Sequence, residues 1–114
     1  MINKEDNAMA VTLADFLKYA GYDVTDDELV NYNAERALTT ATKTVLGAVG
    51  DDVEKYLPGD PRVDELVLIY ADDLFSERGV SAKVSGATRR AVADMELQLR
   101  LELADAKEKE AAQA

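Results

Sequence analysis

Three clusters of acidic residues are the feature of this sequence that comes nearest to chemistry. Carboxylates of this kind can bind a divalent cation or work as an acid–base pair, and they occur as Asp26-Asp27-Glu28, Asp51-Asp52-Glu54 and Asp72-Asp73. A calcium loop needs ligands at alternating positions with a glycine at the turn, and none of the clusters has this pattern. The first cluster is explained by helix capping, and the second is explained by a solvated turn. The third is explained by its place on the exposed edge of an apolar helix. We therefore expect no metal site.

The sequence gives no more support to nucleophilic catalysis than to a metal site. The chain contains no histidine and no cysteine, which removes the usual general base, thiol chemistry and the common zinc ligands. The serines Ser76, Ser81 and Ser85 have no histidine to activate them. There is no glycine-rich phosphate loop and no nucleophile elbow. We expect a protein that is not an enzyme and that needs no cofactor.

Length and composition indicate one soluble domain. The 114 residues (12.4 kDa) fit a single domain, and no apolar run approaches the roughly 20 residues of a membrane span. The first residues include no apolar segment typical of a secretion signal. We expect a flexible N-terminus at 1–10, a helical domain at 11–103, and a charged helix end or tail at 104–114.

The charge is unevenly distributed along the chain. The net charge is −10, but residues 1–77 hold 6 basic and 17 acidic residues, whereas residues 78–114 hold 7 and 6. Within residues 78–90, which we call the basic elbow, there is no acid, and the cations are Arg78, Lys83, Arg89 and Arg90. Ordinary solubility charge would explain this pattern. A contact surface that is acidic on one side and basic on the other would explain it equally well.

Apolar periodicity predicts an all-α fold, a small bundle of four helices. The first helix lies within 11–20, with Thr12 as N-cap and Gly21 as its stop. The second starts at the capping-box spacing Thr25-Asp26-Asp27-Glu28 and carries a stripe of small apolar residues. That stripe consists of Val30, Ala34, Ala37, Leu38, Ala41, Val45 and Ala48. Residues 50–60 are predicted to be a loop with at most one helical turn.

The third and fourth predicted helices differ in how apolar they are. Asp60-Pro61 opens the third, which is apolar on most sides from Val63 to Phe75 and is therefore expected at the centre of the domain, ending at Gly79. Residues 80–86 are predicted to be a loop or a short extended piece, and Ser85 or Thr88 is predicted to cap the long last helix. At about 100° per residue, the last helix has two opposed apolar stripes. One stripe is Val92, Met95, Leu99 and Leu103, and the other is Leu97, Leu101 and Ala104. In so small a domain, the second stripe is expected to meet another chain, the alternative being a helix that is fully wrapped within a monomer.

The order of these segments resembles a known family. Val-Thr-Leu-Ala-Asp-Phe-Leu-Lys-Tyr (11–19) precedes Val-Thr-Asp-Asp-Glu-Leu-Val (24–30), and an alanine-rich helix then ends in Tyr-Leu-Pro-Gly (56–59). An apolar helix follows and closes in Phe-Ser-Glu-Arg (75–78). Over residues 11–103 this pattern is similar to the gp6-like head–tail connector (neck adaptor) proteins of long-tailed bacteriophages.

The resemblance implies a structural protein of the virion neck, assembled in the cytoplasm of the bacterial host. Copies would form a ring below the portal protein, with matching symmetry, and would extend the DNA channel towards the next neck or tail-completion protein. DNA would pass through the lumen without sequence-specific binding, and no membrane would be involved. Arg78, Lys83, Arg89, Arg90, Leu97 and Leu101 are the residues expected at the interfaces.

Two other interpretations stay open. The acidic chain could be a DNA mimic that inhibits a nucleic-acid-binding protein, in which case it binds that target one to one and forms no ring. Alternatively, Arg89, Arg90 and Arg100 could make the last helix a small DNA-binding element. A net charge of −10 opposes the second alternative, because DNA repels an acidic surface.

Overall fold

Every regular element in the described part of the chain is helical. The computed structural model describes residues 11–22, 27–76 and 86–113, and within these ranges there is no strand. The helices are α1 (Leu13–Tyr19), α2 (Glu28–Val49), α3 (Val53–Tyr56), α4 (Pro61–Ser76) and α5 (Gly86–Gln113). The all-α prediction is confirmed. The described ranges hold five helices where the sequence predicted four, because residues 53–56 complete a helical turn within the predicted loop.

Both predicted ends of the first helix are confirmed. The hydroxyl of Thr12 accepts a hydrogen bond from the backbone N–H of Asp15 at 3.1 Å, and the Asp15 carboxylate accepts one from the Thr12 N–H at 3.3 Å. This reciprocal pair is a capping box. After α1, Gly21 adopts a φ of +91°, a left-handed conformation that glycine tolerates well.

The start of α2 differs from the prediction. Its N-cap is Asp27, whose Oδ1 accepts hydrogen bonds from the N–H groups of Leu29 and Val30 at 3.0 and 3.3 Å. The capping box expected from Thr25 to Glu28 is therefore wrong, because the helix begins only at Glu28; Thr25 lies outside the described residues. The carboxylate next to the first turn satisfies its N–H groups and suits the positive end of the helix dipole.

Most of the predicted stripe of α2 faces the core. Its members Ala34, Ala37, Leu38, Ala41 and Val45 are buried, whereas Val30 and Ala48 are half-buried. Thr42 and Val49, which the stripe did not include, are buried as well. The hydroxyl of buried Thr42 donates to the carbonyl of Leu38 at 2.8 Å, so the polar group has a partner inside the helix. Gly47 lies within the helix, and the helix ends at Gly50, where φ is +141°.

The start of α4 agrees with the sequence. Pro61 is its first residue, the carbonyl of Asp60 accepts from the N–H of Val63 at 3.1 Å, and the Asp60 carboxylate accepts from the N–H of Arg62 at 2.9 Å. The helix packs against α1, α2 and α5. Residues 77–85 lie outside the described ranges, and they include the predicted stop at Gly79 and the predicted cap Ser85. Thr88 lies inside α5, which begins at Gly86, so it is not the cap that the sequence proposed.

One hydrophobic core joins the helices. Its largest fully buried side chains are Phe16, Val45, Val53, Leu66 and Leu99, which come from all five elements. Phe16 and Tyr22 both pack edge-to-face on Phe75, with ring centroids 5.6 Å apart in each pair. None of the helices in the described ranges has the length and apolar character that crossing a membrane requires.

Candidate protein–protein interface

The long helix α5 has two apolar faces with opposite environments. Leu99 and Leu103 are 0% and 3% exposed and belong to the core, and Val92 and Met95 pack partly buried beside them. On the other side, Leu97 and Leu101 are 48% and 61% exposed, and Ala104 is exposed as well. The split that the sequence predicted for this helix is therefore confirmed. We call the side that bears Leu97 and Leu101 the outward face of α5.

The outward face begins at Arg90. Arg89 and Arg90 are both exposed near the start of α5, and Arg90 lies seven residues, or two helical turns, before Leu97. Arg90 and the two exposed leucines therefore belong to one helix surface, whereas Arg89 lies about 80° round the helix from Leu97. The other cations of the basic elbow, Arg78 and Lys83, lie outside the described residues.

A charged triad fixes the middle of α5 to the start of α4. The guanidinium of Arg62 donates to both oxygens of Glu102, at 2.9 and 2.7 Å, and its Nη2 also donates to Asp60 at 2.7 Å. Hydrogen bonds from Arg62 lower the pKa of Asp60 and of Glu102 below their usual ranges. The same two carboxylates raise the pKa of Arg62 further above its ordinary value. The triad holds α5 at one rotation about its axis.

Four further polar contacts hold α5 along its length. Toward the C-terminal end, the hydroxyl of Tyr56 donates to Glu110 at 2.7 Å, and Lys107 forms an ion pair with Asp52 at 2.7 Å. Arg100 donates to the carbonyl of Ala48 at 3.1 Å. Nearer the start, the hydroxyl of Tyr70 donates to Glu96 at 2.6 Å. Apart from Arg100, which is three residues after Leu97 and borders the outward face, these contacts lie on other sides of α5 and help to keep Leu97 and Leu101 turned to solvent.

These contacts are the functional positions that the sequence analysis missed. Arg62 and Glu102 are 40 residues apart, and Tyr56 and Glu110 are 54 residues apart. No local pattern links residues so far apart in sequence. For residues 104–114 the sequence predicts only a charged helix end or tail, and the structure continues α5 to Gln113.

Several residues of the acidic clusters have backbone or side-chain partners. Asp27 caps α2, Asp52 pairs with Lys107, and Glu54 accepts a hydrogen bond from the N–H of Gly59 at 2.8 Å. Among the described residues there is no group of acidic side chains with the geometry to bind a metal ion. Asp72 and Asp73 are both half-buried on α4, and the charge of Asp72 acts on the nearby hydroxyl of Tyr19.

An open cleft of about 430 Å³ lies between the start of α1 and the middle of α2. Its lining includes Val11, Leu13, Glu35, Arg36 and Thr39. Arg36 lies over the ring of Tyr32, 5.7 Å from its centroid, and donates to its hydroxyl at 3.3 Å. A wide groove with a charged rim can contribute to a contact surface.

Comparisons with family models, with curated proteins and with solved structures found no match for this chain. The resemblance to head–tail connectors therefore rests on the sequence pattern of residues 11–103 alone. What the structure adds is the exposed apolar face of α5, together with the polar contacts that fix its direction.

Proposed function

We propose that this chain is a structural subunit that works through contacts with other protein chains, as a head–tail connector of a tailed bacteriophage. The observation that carries the proposal is the outward face of α5. Its leucines Leu97 and Leu101 are 48% and 61% exposed. Five polar contacts nevertheless attach the same helix to the rest of the domain. Exposed apolar side chains on a helix that is held in place are characteristic of a surface that binds a partner. The sequence resemblance supplies the kind of assembly in which that surface acts.

In this proposal the chain forms a small helical bundle, and copies of it stand side by side in a ring below the portal protein. The ring has the symmetry of the portal, and its far side contacts the next neck or tail-completion protein. The basic elbow, including Arg89 and Arg90, meets acidic residues of the portal or of the neighbouring copy. Complementary charge of this kind favours correct pairing over wrong pairing.

The acidic balance of the chain suits a channel through which DNA moves. Residues 1–77 carry 17 acidic and 6 basic side chains, and several acids, such as Asp15, Glu35 and Asp51, are exposed. A surface of this sign repels phosphates and so prevents DNA from adhering to the wall. The proposed role needs no catalysis, and it agrees with the absence of histidine and cysteine from the sequence.

Native mass spectrometry of this protein mixed with the portal protein of the same genome tests the proposal. A discrete complex with equal numbers of both chains is the expected result, and it also gives the ring size. A portal ring that stays bare in a large excess of this protein contradicts the proposal. In that case a pull-down of nucleic-acid-binding proteins would test the DNA-mimic alternative.

A further inference from the structure

The outward face of α5 has the spacing of a seam between two helices. Successive members of the face are four, three, four, three and four residues apart, and all of them are exposed. They are Arg90, Asp94, Leu97, Leu101, Ala104 and Glu108. Alternating steps of three and four residues are the pattern with which one helix packs along another. We call these six positions the outward seam, which at 1.5 Å per residue is about 27 Å long.

The outward seam is complementary to its own reverse. Its midpoint lies at the level of residue 99, halfway between Leu97 and Leu101. Arg90 and Glu108 lie at its two ends, each about 13.5 Å from the midpoint along the helix axis. When two α5 helices lie antiparallel and are centred on this level, Leu97 of each copy meets Leu101 of the other. Arg90 of each copy then meets Glu108 of the other, so opposite charges meet at both ends.

The other charges near the ends of the seam are compatible with this arrangement. Asp94 follows Arg90 by one helical turn, which places its carboxylate on the same side of the helix. Asp105 borders the seam and forms an ion pair with Lys109 at 3.1 Å. Each end of the antiparallel contact therefore brings together two cations, Arg90 and Lys109, and three carboxylates, Asp94, Asp105 and Glu108. In a parallel contact, by comparison, every charge of the seam would lie beside the same charge of the second copy.

The seam lies on a helix that is already held in place. Lys107 and Glu110, which stand on either side of Glu108 in the sequence, contact Asp52 and Tyr56 at 2.7 Å in each case. The C-terminal end of the seam is therefore attached to the domain on its other side. A second copy that binds the seam does not have to order the helix first, which lowers the entropic cost of the contact.

We propose that two copies of this chain pair through their outward seams, antiparallel and related by a two-fold axis at the level of residue 99. Leu97 and Leu101 of the two copies form an apolar centre, and the contacts between Arg90 and Glu108 close both ends. A contact that uses the same surface on both copies is complete with two copies and does not continue into a longer assembly.

The pairing regulates the connector role, and this consequence rests on the proposed function. While two copies are paired, the outward face of α5 is not available to the portal protein or to a neighbour in the ring. The pair is then the storage form of the free chain, and it has to open during assembly. The pairing itself concerns this chain alone. The tests below use no portal protein, so their outcome is independent of whether the portal binds.

Disulfide mapping tests the register directly, because the natural chain has no cysteine. The variants Ala104→Cys and Asp94→Cys, one of them carrying a mass tag, are mixed and oxidised mildly. In the antiparallel contact these two positions lie at one level, whereas the two copies of residue 104 are about 15 Å apart along the axis, too far for a disulfide. We expect the mixed dimer in clear excess over both homodimers. Thr40→Cys, at an exposed position on α2, replaces Asp94→Cys in the matched control and should give little product.

Sedimentation without any cysteine tests the charges at the ends of the seam. With rising concentration, the natural chain is expected to approach twice 12.4 kDa. Arg90→Glu replaces both end pairs by repulsion and should weaken pairing by roughly tenfold. Adding Glu108→Arg to the Arg90→Glu chain should restore pairing. Arg89→Glu is the matched control, because it makes the same change of charge beside the seam, and it should have a clearly smaller effect.

Three results would overturn the proposal. A natural chain that stays at 12.4 kDa throughout the concentration series, with a disulfide yield no higher than that of the Thr40→Cys control, would show that the seams do not meet. A dominant Ala104→Cys homodimer would show a parallel contact. Equal effects of Arg89→Glu and Arg90→Glu would show that the end pairs do not define the contact.

Discussion

The guanidinium of Arg62 on α4 and the carboxylate of Glu102 on α5 form a two-pronged pair across the helix interface. Nη1 lies 2.9 Å from Oε2 and Nη2 lies 2.7 Å from Oε1. Arginine is suited to this geometry because its donors form a rigid planar fork. Glu102 lies between Leu101, which is exposed, and Leu103, which is buried. The pair therefore sets which leucines of α5 face the core and which face outward.

Removal of this pair should weaken the attachment of α5. We expect Arg62→Ala to lower the free energy of unfolding by roughly 1–2 kcal/mol, because a partly exposed charged network contributes more than one surface ion pair. Arg62→Lys should recover only part of this loss, since an ammonium group cannot bind both oxygens as a fork. Urea denaturation measures the free energy of unfolding of the natural protein, of Arg62→Ala and of Arg62→Lys. Equal stability of Arg62→Ala and the natural protein would contradict this role.

Acid should destabilise the protein through the same contacts. Hydrogen bonds from Arg62 lower the pKa of Asp60 and Glu102, and one from Lys107 lowers the pKa of Asp52. Carboxylates with a lowered folded pKa stabilise the fold above their unfolded pKa values, usually 3.8 for aspartate and 4.5 for glutamate. That contribution is lost as the pH falls through the lower folded values. Asp64 acts in the opposite direction, because burial raises its pKa.

Among the described residues named above, three carboxylates have a lowered pKa and one, Asp64, has a raised pKa. We therefore expect the free energy of unfolding to fall steadily once the pH drops below about 4. Denaturant midpoints measured from neutral pH downward test this expectation. Arg62→Ala is the matched control, and its pH dependence should be shallower because two of the three lowered pKa values depend on Arg62. A natural protein and variant with parallel pH profiles would rule out the triad as the cause.

Tyr70 should be among the last tyrosines to ionise. Burial, followed by its hydrogen bond to Glu96, raises the pKa of Tyr70 to about 12. Because the folded pKa is raised, the stabilisation is complete below the unfolded value of 10 and is lost as the pH rises towards 12. In a tyrosinate absorbance titration, Tyr70→Phe should remove the component near pH 12. Persistence of that component in Tyr70→Phe would refute the assignment.

The local parts of the fold could be predicted from the sequence, because short-range chemistry determines them. Thr12 and Asp60 were recognised as caps since a side chain and its N–H partners lie within three residues. The buried and exposed leucines of α5 followed from helical periodicity. Thr25 was a wrong choice because the neighbouring Asp27 offers a charged acceptor right before the first turn of α2.

The contacts that orient α5 could not be predicted in this way. Pairs such as Arg62–Glu102 and Lys107–Asp52 join residues far apart in sequence, and they exist only after the helices have packed. The end of α2 shows a related effect. Gly47 lies within the helix, whereas Gly50, which follows it, has a positive φ and lies against Leu103 of α5.

The two glycines should respond to alanine with opposite sign. A Cβ at Gly50 would overlap Cδ2 of Leu103, and its φ of +141° is strained for an L-residue. We expect Gly50→Ala to cost roughly 1–3 kcal/mol. Gly47 lies within α2, and a Cβ there meets nothing within 4 Å, so Gly47→Ala should stabilise the protein by about 0.5–1 kcal/mol. Thermal denaturation compares the Tm of the two variants with that of the natural protein. Shifts of both Tm values in the same direction would contradict the described end of α2.

The outward face of α5 is the centre of the functional proposal, and portal binding tests it most directly. The measurement is native mass spectrometry of the portal protein mixed with the natural chain or with the double variant Leu97→Glu, Leu101→Glu. Both leucines are exposed, so the variant should keep its helical circular dichroism spectrum. We expect the natural chain to load the portal in equal numbers and the double variant to fail to complete the ring. A portal that stays bare with the natural chain, or that is loaded equally by both, would contradict the proposal.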